Sequence, residues 1–121
     1  MLGLPVAGPP SAAASLNMTP QELNLYLHHR NNLAKLDKGG GIRTPEGVET
    51  VRQISTEGPD GRTYNIPTIW NGRELKPHQA VEMALKFSKG DWHYWPSYPD
   101  VPTAESRYGQ MHKIIAQDVV E

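Results

Sequence analysis

The stretch ISTEGPDGRTYNIPTIWNG, residues 54–72, decides the fold. Its turn signal GPDG, residues 58–61, lies between two segments rich in β-branched and aromatic residues, which predicts a β-hairpin. On the returning segment, alternate residues from Tyr64 to Trp70 share one face, a pattern typical of a half-buried strand. Because Pro67 cannot donate a ladder hydrogen bond, we expect this strand to be an edge strand or to end near Pro67.

The segments on either side extend this pattern. Residues 48–57 are rich in β-branched side chains and predict the partner strand, although the step from Val51 to Ile54 breaks the alternation and favours a bulge. Asn71-Gly72 predicts a tight turn after the hairpin. The three glycines at 39–41 and the TPEG sequence at 44–47 predict a turn-rich connector that acts as a hinge.

Three helices are predicted. The first covers residues 20–36, because Thr19 and Glu22 have the spacing of a capping box and Pro20 suits the first turn. The second runs from Pro77 to about Lys89, and the third begins after Asp100 and ends near Gln117. Their predicted apolar faces are Ala80, Val81, Ala84, Leu85 and Phe87 on the second helix, and Ala104, Tyr108, Met111 and Ile115 on the third.

The first helix carries apolar residues on more than one side. One stripe contains Leu23, Tyr26, Leu27 and Ala34, and the other contains Leu25, Leu33 and Leu36. Two interpretations therefore stay open: the helix packs wholly within its own domain, or it lies between this domain and a neighbouring protein.

These elements predict an α+β fold, with a small β-hairpin or sheet packed against two helices and preceded by an extended arm and a helix. With 121 residues, the chain is long enough for one small core. We divide it into an arm at 1–18, an N-terminal helix at 19–38 and a small α+β domain at 39–121. The arm has no charged side chain and three prolines, which favours an extended conformation.

Composition excludes several classes of function. Twelve basic residues against 13 acidic ones give a net charge of −1, so no overall field attracts DNA or an anionic membrane. The chain has no cysteine, which removes disulfides, thiolate metal sites and cysteine nucleophiles. Glycine and proline interrupt the apolar residues of 1–16, so we expect no membrane span and a product made in the host cytoplasm.

We find no catalytic, metal-binding or cofactor-binding constellation, and we expect the protein not to be an enzyme. His28 and His29 are adjacent and point about 100° apart on a helix, so they cannot chelate one metal together. Lys38 precedes the three glycines, whereas a phosphate-binding Walker loop needs its lysine after them. Acid and base pairs such as Glu105 with His112 are of a kind that arises by chance.

The aromatic loop WHYWPSYP, residues 92–99, has two open interpretations. Its rings form either a lid over the core or a surface that binds a partner, since Trp and Tyr are common at interaction hot spots. The loop also completes a basic-aromatic patch suited to stacking single-stranded nucleic acid, formed by Lys86, Lys89, Trp92, His93 and Trp95. Asp91 and Asp100 flank this patch, so nucleic acid is not the partner that we expect.

Three segments resemble a module of tailed-bacteriophage proteins: GGGIRTPEG at 39–47, TVRQIS at 50–55 and DGRTYNIPTIWNG at 60–72. The resemblance covers residues 19–113 and is most specific from Tyr64 to Gly72. It continues in a helix with the Ala80-Val81 pair and in a WPSY element before the terminal helix. The module is similar to a virion-associated unit found as a short protein or attached to longer structural and DNA-ejection proteins, and it implies no catalytic residues. The aromatic cluster at 92–95 and the uncharged arm depart from the pattern.

The resemblance implies a structural or interaction protein of a tailed-phage virion, an accessory or connector that docks onto larger tail, neck or capsid proteins. The alternatives are an internal DNA-ejection component or a small nucleic-acid-binding phage protein. We expect other virion proteins as partners, with this protein present in multiple copies. The predicted partner-binding residues are Leu2, Leu4, Val6, Leu16, Tyr26, Trp92, Tyr94, Trp95 and Tyr98.

Overall fold

A computed structural model describes residues 17–35, 41–45 and 47–118. Within these residues the fold is α+β, with three α-helices and small antiparallel sheets, as the sequence predicts. The elements in chain order are α1 (Pro20–Ala34), β1 (Ile42–Thr44), β2 (Gly47–Glu49), β3 (Gln53–Glu57), β4 (Thr63–Pro67), β5 (Ile69–Trp70), β6 (Arg73–Glu74), α2 (Pro77–Phe87), a 3-10 helix (Trp92–Tyr94), β7 (Ser97–Tyr98) and α3 (Val101–Asp118). Most of the predicted arm lies outside the described residues, as do Gly39, Gly40 and Glu46 of the predicted connector, whose later part forms the β1-β2 pair.

The central sheet contains the hairpin predicted from residues 54–72. Its strands have the order β3-β4-β7 and are antiparallel, with Ile54 opposite Ile66 and Thr63 opposite Tyr98. The Gly58 amide donates to the Arg62 carbonyl across the loop (2.9 Å). A Cβ at Gly58 would lie 2.5 Å from the Tyr64 ring, so only glycine fits there.

Strand β4 confirms one sequence prediction and contradicts another. Of the two outcomes that Pro67 allowed, the second is observed: the strand ends at Pro67, and it is the middle strand of its sheet. All of its residues are buried, so it is not half-buried. Both faces are covered because the Asn65 side chain donates to the Ala104 carbonyl of α3 (2.9 Å), while the Tyr64 ring packs against Trp92 (5.1 Å between centroids).

The predicted strand at 48–57 is interrupted and does not contain a simple bulge. Residues 50–52 separate β2 from β3, and Thr50 and Val51 are buried there, 1% and 2% exposed. Strand β2 pairs with β1, a strand that the sequence did not predict. The tight turn at Asn71-Gly72 is confirmed: both residues have positive φ (54° and 77°) and they join β5 to β6.

The helix ends follow local sequence signals. The capping box is confirmed, because the Glu22 amide donates to Thr19 Oγ1 (3.1 Å) and the Thr19 amide donates to Glu22 Oε1 (3.0 Å). Helix α2 ends at Phe87, where Gly90 (φ 84°) donates its amide to the Leu85 carbonyl (2.7 Å). Asp100 precedes α3 and accepts from the Thr103 amide (2.9 Å).

The core lies between the central sheet and the helices. Its buried members are Leu25, Tyr26, Val51, Tyr64, Ile66, Trp70, Ala80, Ala84, Trp95, Met111, Ile114 and Ile115. Phe87, which the sequence predicts on the apolar face of α2, is 53% exposed. Among the described residues, no helix combines the length and apolar character needed to cross a membrane.

Candidate functional site

An open groove of about 320 Å³ lies between α1 and α2. Helix α1 contributes residues at i, i+3, i+4 and i+7 spacing from His28, and α2 contributes residues at i, i+3 and i+4 spacing from Met83, so each helix presents one face. The turn between β5 and β6 contributes Asn71 to the lining. The apolar lining residues are Trp70, Met83 and Phe87, and the polar ones are His28, Asn31, Asn32, Lys35, Asn71 and Lys86.

Aromatic rings form one wall of the groove. Trp70 is only 7% exposed, and its indole nitrogen donates to the Pro67 carbonyl (2.8 Å), which fixes the ring. Phe87 contacts Trp70 with 5.7 Å between ring centroids and Tyr94 with 5.8 Å. Since Phe87 remains half-exposed after both contacts, its ring offers apolar surface to a ligand.

His28 lies at the base of the groove, with its ring 4.2 Å from Trp70. Its Nε2 is 2.8 Å from the Ile69 carbonyl oxygen, which can only accept, so Nε2 carries the proton. Burial lowers the pKa of His28 below its ordinary value. The ring is therefore neutral at pH 7, and Nδ1 is an acceptor.

Lys35 and Lys86 give the groove its charge. Neither forms an ion pair with a carboxylate of the described residues. Among the described residues that line the groove, none is acidic. The described part of the groove thus joins two lysines to an aromatic wall.

A second cluster joins α1 to the end of α3. Asp118 Oδ2 accepts from His29 Nε2 (2.8 Å) and from the Tyr26 hydroxyl (2.7 Å), and the Thr50 hydroxyl donates to His29 Nδ1. Burial lowers the pKa of His29 although Asp118 opposes this, and burial together with Asp118 raises the pKa of Tyr26 to about 12.

This cluster has the connectivity of an acid, a histidine and a hydroxyl nucleophile. Thr50 is 1% exposed and His29 is 0% exposed, however, so a substrate cannot reach the hydroxyl. We assign the cluster to stabilising the helix pair.

A third cluster ties the start of α1 to α3 and β7. Glu22 is 1% exposed and accepts two bonds from Arg107, at 2.7 Å to Oε1 and 2.8 Å to Oε2, and one from the Tyr98 hydroxyl (2.7 Å). Burial alone would raise the pKa of Glu22, but the hydrogen bonds from Arg107, the Thr19 amide and Tyr98 outweigh it, so the pKa is lowered.

The structure separates the predicted partner-binding residues into three groups. Leu2, Leu4, Val6 and Leu16 lie outside the described residues. Tyr26, Trp95 and Tyr98 are 8%, 1% and 7% exposed, and they pack within this chain, where they leave little surface for a partner. Trp92 and Tyr94 are partly exposed beside the core, and their role in partner binding stays a prediction.

The predicted basic-aromatic patch does not form as one surface. The Trp95 ring is buried with its nitrogen donating to the Ala84 carbonyl (3.2 Å), which supports the lid interpretation for this residue. Lys86 lies instead in the groove with Lys35, Trp70 and Phe87. The spacing of His28, Asn31 and Lys35 places them on one helix face, and this is the sequence signal that could have indicated the groove.

Within the described part of the chain, no group of three or more histidine, cysteine or acidic residues is placed to hold a metal ion. Comparison with known proteins found no family model, no curated protein and no solved structure that matches this chain.

Proposed function

We propose that this protein is a structural, non-enzymatic component of a tailed-phage virion, which docks onto a larger virion protein through the outward face of α1. The observation that carries the proposal is the exposure of two large apolar side chains on that face, Leu23 (44%) and Leu27 (48%). The resemblance of residues 19–113 to virion-associated modules supports the class of protein.

The docking face is apolar, and so is the partner surface that complements it. Full burial of a leucine is worth about 1.5–3 kcal/mol, so covering the exposed half of each side chain contributes about 1 kcal/mol. Association costs about 4–15 kcal/mol in lost freedom. Two leucines alone cannot hold the complex, and we include the apolar arm, residues 1–18, as the second contact.

Many equivalent binding sites in one particle strengthen the weak contact between this protein and its partner. In a particle with many equivalent sites, two linked contacts on each copy convert the second binding event into an intramolecular one. The protein therefore acts as an accessory or connector, whose attachment depends on the assembled partner.

The test is complementation of phage particles that lack the protein, with mass spectrometry of the purified particles. We expect the wild-type protein to be incorporated and the double variant Leu23→Ser/Leu27→Ser to be lost. The matched control is Val101→Ser, which changes an equally exposed apolar residue (47%) on α3. Circular dichroism melting checks that all three proteins are folded.

Removal of residues 1–16 tests the second contact, because this truncation retains Met18 and the capping residue Thr19. We expect incorporation to fall. If the double leucine variant enters particles as well as the wild type, the docking face is assigned wrongly. If the wild-type protein itself never appears in particles, the virion function is wrong.

A further inference from the structure

We propose that the groove between α1 and α2 binds one nucleotide, with its base against Phe87 and its phosphate between Lys35 and Lys86. The ligand is either a free nucleotide or one residue of single-stranded DNA. This binding site is separate from the outward face of α1 and goes beyond the proposed docking function.

The exposure of Phe87 is the first argument. Its ring is held by contacts with Trp70 and Tyr94, at tilted or near-perpendicular angles of 55° and 63°. Trp95 also lies near it, with 6.2 Å between ring centroids, and 53% of Phe87 stays exposed beside these three rings. A fixed, half-exposed aromatic ring beside a cavity is a stacking platform for a base, since every base has a π face.

The second argument is charge. Lys35 and Lys86 lie at the ends of α1 and α2, and they face the groove without a described carboxylate partner. The last turn of α2 does not need Lys86 to satisfy its carbonyls, because the Ser88 amide donates to Ala84 and the Gly90 amide donates to Leu85. Two ammonium groups that make no ion pair within the described residues complement a phosphate.

The third argument is that polar side chains line the groove together with the Phe87 ring and the two lysines. The side-chain amides of Asn31 and Asn71 make no hydrogen bond within the described residues. Each amide can donate and accept at once, which suits the edge of a base. Asn71 is held at positive φ in a tight turn.

The same features favour a nucleotide over an acidic peptide. A carboxylate needs only the two lysines, whereas a nucleotide uses the ring, the amides and the lysines together. The net charge of −1 gives no long-range attraction for DNA, so binding depends on this local set and weakens as salt rises.

Isothermal titration calorimetry of the full chain tests the proposal with dAMP, deoxyadenosine, inorganic phosphate, the oligonucleotide (dA)8 and the peptide Asp-Phe-Asp. We expect dAMP to bind, and deoxyadenosine and phosphate each to bind about tenfold more weakly. Tighter binding of (dA)8 than of dAMP identifies single-stranded DNA as the source, and equal binding per site identifies a free nucleotide. Tighter binding of (dA)8 and equal binding per site both support the proposal that the groove binds a nucleotide.

Variants connect the binding to the groove. Phe87→Ala and the pair Lys35→Gln/Lys86→Gln should each weaken dAMP by about tenfold, while Lys113→Gln, an exposed lysine on α3, should leave it unchanged. All four positions are exposed, and circular dichroism melting checks that every variant is folded at the temperature of the titration. The absence of dAMP binding, dAMP binding that these variants leave intact, or binding of Asp-Phe-Asp alone would each overturn the proposal.

Discussion

The two sides of α1 differ in an unusual way. The inward side buries four polar residues, Glu22, His28, His29 and Asn32, beside Leu25 and Tyr26, whereas the outward side exposes Leu23 and Leu27. A surface helix normally buries its apolar stripe and leaves its polar residues in water. The difference shows that hydrogen bonds as well as apolar packing hold the inward side, and that the outward side keeps apolar surface exposed.

Two leucines on these opposite sides give the largest expected contrast. Leu25 is 0% exposed, so Leu25→Ala should lower the free energy of unfolding by about 3 kcal/mol through lost burial and the cavity left behind. Leu27→Ala should change it by less than about 0.5 kcal/mol, because Leu27 is 48% exposed. Urea unfolding of both variants measures the difference. Equal losses would show that the outward side is buried in the isolated protein.

The buried ion pair provides the next contrast. Arg107→Met leaves Glu22 buried without its cation and should lower the free energy of unfolding by about 2 kcal/mol. The loss is smaller than for a fully buried ion pair, because the Arg107 side chain is 23% exposed. The matched control is Arg52→Met, which breaks an exposed pair with Glu74 (2.7 Å) and should cost at most about 1 kcal/mol. Thermal melting in low and high salt measures the stability of both variants. If the Arg52 variant loses more stability than the Arg107 variant, the buried ion pair is not the stronger of the two.

Much of the fold could be predicted from local signals. The capping residue Thr19, the turn at 58–61 and the Asn71-Gly72 turn act through their own backbone geometry, so the sequence alone defines them. The burial of both faces of β4 could not be predicted in this way, because it depends on α3 and on Trp92, which come from distant parts of the chain.

The candidate site was harder to predict for the same reason. Lys35 and Lys86 come together only after α1 and α2 pack, and a sequence gives no sign of which exposed lysines share a groove. Aromatic residues were an ambiguous signal, since Trp95 is a core residue and Phe87 is exposed. The capping role of Glu22 follows from its spacing to Thr19, but the burial of His28, His29 and Asn32 could not be predicted, because they bond to residues 18 or more positions away.

A pH dependence tests the same comparison between the two sides of α1. Burial lowers the pKa of His28 and His29 from the ordinary value of 6.5, so below about pH 6.5 the unfolded chain binds more protons than the folded one. Stability should therefore be lost as the pH falls below 6.5, with a slope of up to about 1.4 kcal/mol per pH unit for each histidine. Glu22 has a lowered pKa and adds its own loss only below about its ordinary value of 4.5.

Urea unfolding at pH 7.5, 6.5 and 5.5 isolates the two histidines from Glu22. His28→Gln should reduce the slope, whereas His112→Gln, at an exposed position on α3, should not change it. A stability that stays constant from pH 7.5 to 5.5 would mean that the inward histidines can take up protons in the folded protein. In that case the inward side of α1 would be open to water, and the contrast between the two sides would fail.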